Sequence, residues 1–183
     1  MSRTDNLWSA FLPQWIVANV VGWSSCFFID ALPFNFFPIR LLRVGLVIAL
    51  FLSIFQWLVL KKHMGVDTMW IWLGALSYGI YIISLSLVSG GLETFLLSTL
   101  VLFLVGFLQR SVLDYHFDNS GRWIVASGLA GASALILSYI IASLFLSKTS
   151  LLIVWGVYGG VYGIVTGVIL VSMYPQPIDK AFK

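Results

Sequence analysis

The sequence predicts an all-α integral membrane protein, a bundle of six transmembrane helices built as three repeated helical hairpins. Of its 183 residues, 60% are hydrophobic and only 9% are charged, and the mean hydropathy is +1.01. About a quarter of the residues in a soluble domain are charged, so a chain this apolar could not cover its surface in water. Long apolar runs and an internal repeat are the other two observations behind the prediction.

Six apolar runs are long enough to cross a bilayer, which takes roughly 20 residues. The first ends before a turn marked by Pro33 and Pro38, the third before Ser89 to Gly91, and the others before short polar segments. No cleavage pattern follows the first run, so we interpret it as a retained helix. The runs leave no room for a sizeable soluble domain, and residues 1–183 are predicted to form one transmembrane domain. They cover approximately residues 14–32, 40–60, 69–88, 92–113, 122–146 and 150–173.

The basic residues predict the orientation of the chain. Six spans place both termini on one side of the membrane, together with Arg3, Lys61, Lys62, Arg110, Arg122, Lys180 and Lys183. The other side carries Arg40, Arg43 and Lys148. Seven against three predicts cytoplasmic termini. The net charge of +3 is then a topology signal, and we expect lipids and other membrane subunits, not nucleic acid, as partners.

Residues 53–70 align with residues 106–123 at a constant offset. The alignment matches Gln56 with Gln109, Val59 with Val112, Leu60 with Leu113, His63 with His116, and Trp70 with Trp123. A weaker third copy carries Gly163, Thr166, Ile169 and Leu170, and the first span supplies its partner through Trp15. The predicted hairpins therefore join spans two and three, four and five, and six and one, around an axis along the membrane normal.

Two kinds of residue are predicted to hold the helices together. Gln56 and Gln109 are expected to form hydrogen bonds to the hairpin partner or to the next hairpin; lining a polar ligand site is the alternative. Small residues four apart let helix backbones approach closely in lipid. The last span carries this spacing, and its predicted packing residues are Gly156, Gly160, Gly163 and Gly167.

The segment Gln56-Trp57-Leu58-Val59-Leu60, with the stretch from Trp15 to Trp23, resembles a group of small bacterial, especially cyanobacterial, polytopic membrane proteins with repeated Gln-Trp helix hairpins. The second copy departs from this pattern because Arg110 stands in place of the tryptophan. The resemblance implies a thylakoid or inner-membrane setting, and it implies no activity.

His63 and His116 are the candidate cofactor ligands. Either histidine could bind the magnesium of a chlorophyll or a haem iron at the cytoplasmic boundary. We favour the simpler interpretation, that both are solvated products of one duplicated loop, because haem-type sites usually draw histidines from within the bundle. A carotenoid is a further candidate ligand, since Trp23, Tyr78 and Tyr81 lie deeper in their spans. Ordinary packing explains these rings equally well.

Arg40 and Arg43 open the second span, close to Asp30 at the end of the first. A carboxylate near the bilayer is costly unless it is paired, so we expect Asp30 to form an ion pair with one of the arginines. The alternative is that the two arginines bind an anion or a lipid headgroup.

No catalytic motif is present, and the protein is predicted not to be an enzyme. The expected function is that of an integral subunit or accessory protein of a larger membrane complex, photosynthetic if the resemblance holds, with pigment or lipid as ligands. The alternative is a small transporter or its substrate-binding component, with a cavity lined by Asn19, Cys26 and Asp30.

Overall fold

The computed structural model describes residues 7–30, 37–87, 91–117, 119–144 and 150–173. These residues form six α-helices and no β-strand, and a short π-helical turn, Leu7–Phe11, leads into the first of them. The helices are α1 (Leu12–Asp30), α2 (Phe37–Met64), α3 (Met69–Leu87), α4 (Gly91–Leu113), α5 (Gly121–Leu144) and α6 (Ser150–Met173). The all-α prediction is therefore confirmed.

Four stretches of the described residues are long and apolar enough to cross a membrane: Gly45–Met64, Phe95–Leu113, Gly121–Leu144 and Leu152–Met173. They belong to α2, α4, α5 and α6. The outward faces of these helices carry large apolar side chains that are about half exposed, among them Phe51, Leu100 and Leu129. An apolar exterior of this extent is typical of a protein surrounded by lipid.

Helix α2 extends beyond its predicted end. The sequence places Lys61, Lys62 and His63 in a connecting segment, whereas the structure places them in the last turn of the helix. Basic side chains are favourable there because they face the negative end of the helix dipole. The helix then stops at Gly65, whose φ of 74° is the left-handed conformation of a C-terminal cap, and the Gly65 amide donates to the Lys61 carbonyl.

The six helices form a closed ring. Each packs against the helix before it and the helix after it along the chain, and α6 packs against α1. Short connections of this kind place consecutive helices side by side and antiparallel. The space along the axis of the ring, here called the column, contains no helix backbone. Its contents are therefore the side chains that project inward from the six helices.

Two apolar clusters fill most of this column. One lies at the end where α1, α3 and α5 begin, and it contains Trp15, Trp70, Trp123, Leu60 and Leu113. The other lies deeper and contains Trp23, Leu52, Leu102, Tyr78, Tyr81, Tyr158 and Tyr162.

A polar layer separates the two clusters. Each helix contributes to it at least one buried polar or small residue, which lies between the residues that the helix contributes to the clusters. The members of the polar layer are Asn19, Ser53, Gln56, Gly74, Gln109, Ser127 and Thr166.

Glycines that lie in or against the polar layer let paired helices cross closely. A Cβ atom added to Gly74 of α3 would lie 2.9 Å from Cβ of Ser53 in α2, and one added to Gly106 of α4 would lie 2.9 Å from Cβ of Ser127 in α5. At Gly163 of α6, the added atom would lie 3.1 Å from Cβ of Asn19 in α1. The same kind of contact thus recurs in the pairs α2–α3, α4–α5 and α6–α1, which are the pairs that the sequence alignment predicts.

Candidate functional site in the ring centre

Three tryptophans meet at one end of the ring centre. Trp15, Trp70 and Trp123 begin α1, α3 and α5, and all three are fully buried. Their rings contact one another edge to face, with centroids 6.4 Å apart for Trp15 and Trp70, 6.3 Å for Trp15 and Trp123, and 5.9 Å for Trp70 and Trp123. Edge-to-face pairs at these distances are attractive beyond the area that they bury. This tryptophan cluster closes the column at that end.

Two of the three indoles donate a hydrogen bond to a neighbouring helix, the one with which the sequence predicts each to pair. Trp123 Nε1 donates to Gln109 Oε1 at 3.1 Å, and Trp15 Nε1 donates to Thr166 Oγ1 at 3.0 Å. The aligned pair in the remaining hairpin is Trp70 and Gln56. There, Trp70 Nε1 and Gln56 Oε1 are both buried without a hydrogen-bond partner among the described residues.

Gln56 instead joins three helices of the ring. Its Nε2 donates to Asn19 Oδ1 of α1 at 2.8 Å and to the Tyr78 hydroxyl of α3 at 3.1 Å. The Asn19 amide is fixed in turn, since its Nδ2 donates to the Trp15 carbonyl at 2.9 Å. Gln56 therefore bonds both to its hairpin partner, α3, and to the next hairpin through α1.

Two tyrosine pairs cross the column between α3 and α6, which stand on opposite sides of the ring. The hydroxyls of Tyr78 and Tyr162 lie 3.3 Å apart, and those of Tyr81 and Tyr158 lie 2.9 Å apart. Trp23 packs against all four rings, with centroid distances from 4.7 to 6.4 Å. These contacts occupy the deeper half of the ring centre with aromatic side chains.

Several buried polar atoms of the column lack a hydrogen-bond partner within the described part of the chain. Besides the Trp70 and Gln56 atoms, they include Trp23 Nε1, Gln109 Nε2 and Ser127 Oγ. An unpaired buried group costs about 1–3 kcal/mol, so such atoms are the places where water or a polar ligand would be stabilising. The polar layer is consequently the part of the ring centre that is chemically able to bind something.

The two candidate histidine ligands have different local contacts. His63 Nε2 lies 3.1 Å from Gln14 Oε1, and its ring packs edge to face against Phe11 with centroids 5.7 Å apart. His116 Nδ1 lies 3.2 Å from the Val112 carbonyl one turn earlier. Each histidine thus has local contacts at the rim of the ring. The described residues contain no group of three or more His, Cys, Asp or Glu side chains that could hold a metal ion.

The candidate anion site lies outside the described side chains. Arg40 and Arg43 fall in the first turns of α2, and neither their side chains nor those of Cys26 and Asp30 are among the described residues. Asn19, the third residue of the hypothetical transport cavity, is fully buried and hydrogen-bonded at both ends of its amide.

The glycines of α6 divide into two sets. Added Cβ atoms on Gly159, Gly163 and Gly167 would lie 2.5 to 3.1 Å from atoms of α1, whereas those on Gly156 and Gly160 would meet nothing closer than 3.5 Å. The close approach of α6 to α1 therefore runs along Gly159, Gly163 and Gly167.

The α4–α5 loop holds a small polar cluster at the rim. Asp114 forms an ion pair with Arg110 Nε at 3.3 Å and accepts a hydrogen bond from the Ser120 hydroxyl. The Ser120 hydrogen bond, together with Arg110, lowers the pKa of the Asp114 carboxyl. The ion pair is almost half exposed and contributes little to stability.

Sequence reasoning missed Tyr158 and Tyr162, although the sequence carries a signal for them. They are four residues apart in α6 and share one helix face. A pair of phenols on the inward face of a membrane helix needs polar partners, and Tyr78 and Tyr81 of α3 have a similar spacing. Comparison of the chain with protein-family models, with curated proteins and with solved structures gave no match.

Proposed function

We propose that the chain is a non-catalytic integral membrane subunit or accessory protein of a larger membrane complex. The observation that carries this proposal is the filled ring centre. Aromatic side chains fill both clusters of the column, the tyrosine hydroxyls pair across it, and the Gln56 amide bonds to Asn19 and Tyr78. A molecule with such an interior has its apolar outer surface available for function.

The same proposal includes the finer architecture. All six helices would cross the membrane as three hairpins around a pseudo-threefold axis, with both termini in the cytoplasm of a bacterial inner or thylakoid membrane. The tryptophan cluster supports the axis, because Trp15, Trp70 and Trp123 come from every second helix and meet at the same depth. The repeated close contacts Ser53–Gly74, Gly106–Ser127 and Gly163–Asn19 support the pairing of helices.

Purification from the source cells in a mild detergent tests the proposal. We expect the tagged chain to migrate on a native gel with a much larger complex, and mass spectrometry of that band to identify stoichiometric partners. Absorption of the same band reports whether the complex carries chlorophyll, carotenoid or haem. Migration as a single chain, with no stoichiometric partner at any detergent concentration that preserves other complexes, would contradict the subunit function.

A set of matched variants locates the partner. One outward apolar residue on each helix is replaced by tryptophan, which enlarges the side chain without entering the core, at the positions Val21, Leu50, Leu76, Leu100, Leu129 and Ile164. Variants on the face that binds a partner should lose co-migration while the isolated chain keeps its helical circular dichroism. The variants on lipid-facing helices serve as controls and should co-migrate like the wild type.

The unpaired polar atoms of the column favour a second candidate function, a small transporter. Gln56 Oε1, Gln109 Nε2 and Ser127 Oγ could bind a small polar solute if the aromatic contacts opened. Such a transporter, purified gently, should retain a soluble metabolite detectable by mass spectrometry. Replacement of Gln109 by leucine should release that metabolite, whereas replacement of the outward Leu129 by tryptophan should not.

A further inference from the structure

A groove runs along the outer surface between α1 and α2. It has a volume of about 360 Å³ and is lined by Pro13, Gln14, Val17, Ala18, Phe55, Leu58 and Val59. All of its lining residues except Gln14 are apolar. Because the groove faces away from the ring centre, an occupant would reach it from the surrounding bilayer.

Basic side chains stand at one end of this groove. Phe55, Leu58, Val59 and Lys62 follow one another on one face of α2, so Lys62 lies directly beyond the groove lining. Lys62 Nζ donates to Gln14 Oε1 at 3.1 Å, which holds the lysine across the groove mouth. Lys61 precedes it in the same helix turn, and its Nζ lies 4.5 Å from the centroid of the Trp57 ring, which is outside the groove lining.

The charge of these lysines is not neutralised by protein. Both are exposed, and neither forms an ion pair with a carboxylate in the described part of the chain. His63 shares the same glutamine oxygen, with its Nε2 3.1 Å away. An apolar groove that ends at the unpaired Lys62, with a second unpaired lysine in the same helix turn, matches a ligand with an apolar chain and an anionic head.

We propose that the α1–α2 groove binds an anionic phospholipid, with an acyl chain against Val17 and Leu58 and the headgroup phosphate at Lys61 and Lys62. The groove supplies contact for the chain, and each lysine attracts an anionic headgroup at the membrane surface. This site differs from the pair Arg40 and Arg43, which lies at the other end of α2. The proposal requires only that the chain lies in a bilayer, so it stands independently of the subunit function.

Native mass spectrometry of the delipidated full chain tests the headgroup contact. The added lipids are phosphatidylglycerol and phosphatidylcholine with identical acyl chains. We expect one phosphatidylglycerol to bind in preference to phosphatidylcholine. The double substitution Lys61→Gln with Lys62→Gln should reduce the ratio of the two affinities by about five-fold for each lysine. Arg110→Gln, which removes one positive charge at the end of α4, is the charge control and should leave the preference unchanged.

A matched pair of tryptophan variants tests the groove itself. Val17 and Val125 occupy the same place in the two Trp-Ile-Val-Ala segments and are similarly exposed, at 59% and 52%. Val17→Trp fills the groove and should abolish the preferential binding, whereas Val125→Trp on α5 should not. Both variants keep the core unchanged, and circular dichroism confirms that each is folded.

Three lipid-binding results would overturn the proposal, and a fourth result, with added phosphate, would do so as well. The wild type could bind the two lipids equally, the preference could survive the double lysine substitution, or Val17→Trp and Val125→Trp could bind alike. Inorganic phosphate is added to identify the source of the anion. Loss of the lipid at millimolar phosphate would assign the site to a free anion and not to a phospholipid.

Discussion

The hydrogen bond between Gln109 and Trp123 gives the strongest test of the polar layer. In the structure it joins α4 to α5 within one hairpin, with Trp123 Nε1 donating to Gln109 Oε1 at 3.1 Å between two fully buried side chains. The aligned pair, Gln56 and Trp70, has the same residue types but leaves the corresponding oxygen and nitrogen unpaired. Two double-mutant cycles, each with Gln→Leu and Trp→Phe, therefore compare a bonded pair with an unbonded pair of the same chemistry.

The expected energies follow from side-chain hydrogen bonds within membranes, which contribute about 0.6 kcal/mol on average and up to about 1.7 kcal/mol. We expect a coupling free energy in this range for Gln109 and Trp123, because both groups are fully desolvated. For Gln56 and Trp70 we expect a coupling close to zero. The loss of ring volume in Trp→Phe occurs in both cycles, and it cancels within each cycle.

The assay is reversible unfolding of the purified chain in mixed micelles of mild detergent and sodium dodecyl sulfate. Helical circular dichroism is the signal, since tryptophan fluorescence would change with the substitutions themselves. Equal coupling in the two cycles, or a larger coupling for Gln56 and Trp70, would refute the assignment of hydrogen bonds in the polar layer.

Three further predictions concern packing, backbone conformation and protonation. In the same unfolding assay, Gly159→Ala should lower the free energy of unfolding by about 1–3 kcal/mol, because the added Cβ would lie 2.5 Å from a backbone oxygen of α1. Gly160→Ala is the control and should be neutral or stabilising, because the nearest atom to its added Cβ is 3.7 Å away. Gly65→Ala should lower the free energy of unfolding by about 1 kcal/mol, because φ of 74° is a conformation that alanine adopts only with strain. Gly121→Ala is the control without this loss, because its φ is not positive and no atom lies within 4 Å of the added Cβ. The lowered pKa of Asp114 means that its stabilising effect is present above its ordinary value of 3.8 and is lost as pH falls through the lower folded-state value. The protection of the α4–α5 loop amides, which is the intrinsic exchange rate at each pH divided by the measured rate, should therefore fall only in strong acid, and Asp114→Asn should remove that fall; an unchanged protection profile in the variant would contradict the assignment.

The sequence predicted the helices well because their ends carry strong local signals. Glycine and polar segments separate the apolar runs, and five of the six helices match their predicted bounds within two residues at both ends. Helix α2 was the exception, at both of its ends. At its C-terminus, Lys61 to His63 can either solvate a loop or extend a helix, and only the position of Gly65 decides between them.

The interior of the ring was harder to predict. Gln56 and Gln109 occupy equivalent sequence positions, yet Gln109 bonds to the tryptophan of its hairpin while Gln56 bonds to Asn19 and Tyr78. Gln56 finds Tyr78 on its hairpin partner α3, whereas the aligned position of α5 is Gly131, which has no side chain to accept a hydrogen bond. Such choices depend on side chains from helices that are distant in sequence, and a local pattern does not contain them.

The closure of the ring by α1 and α6 is the claim on which the polar layer, the tryptophan cluster and the proposed function all depend. Cysteines at Val20 and Gly160, in a Cys26→Ser background, test it directly, because an added Cβ at Gly160 lies 3.7 Å from Val20 Cγ2. We predict rapid disulfide formation within one chain on mild oxidation in the membrane, and none between Val20→Cys and Leu100→Cys on the outer face of α4. If the Val20 and Gly160 cysteines remained free while the protein stayed folded, α1 and α6 would not be neighbours and the ring would be wrong.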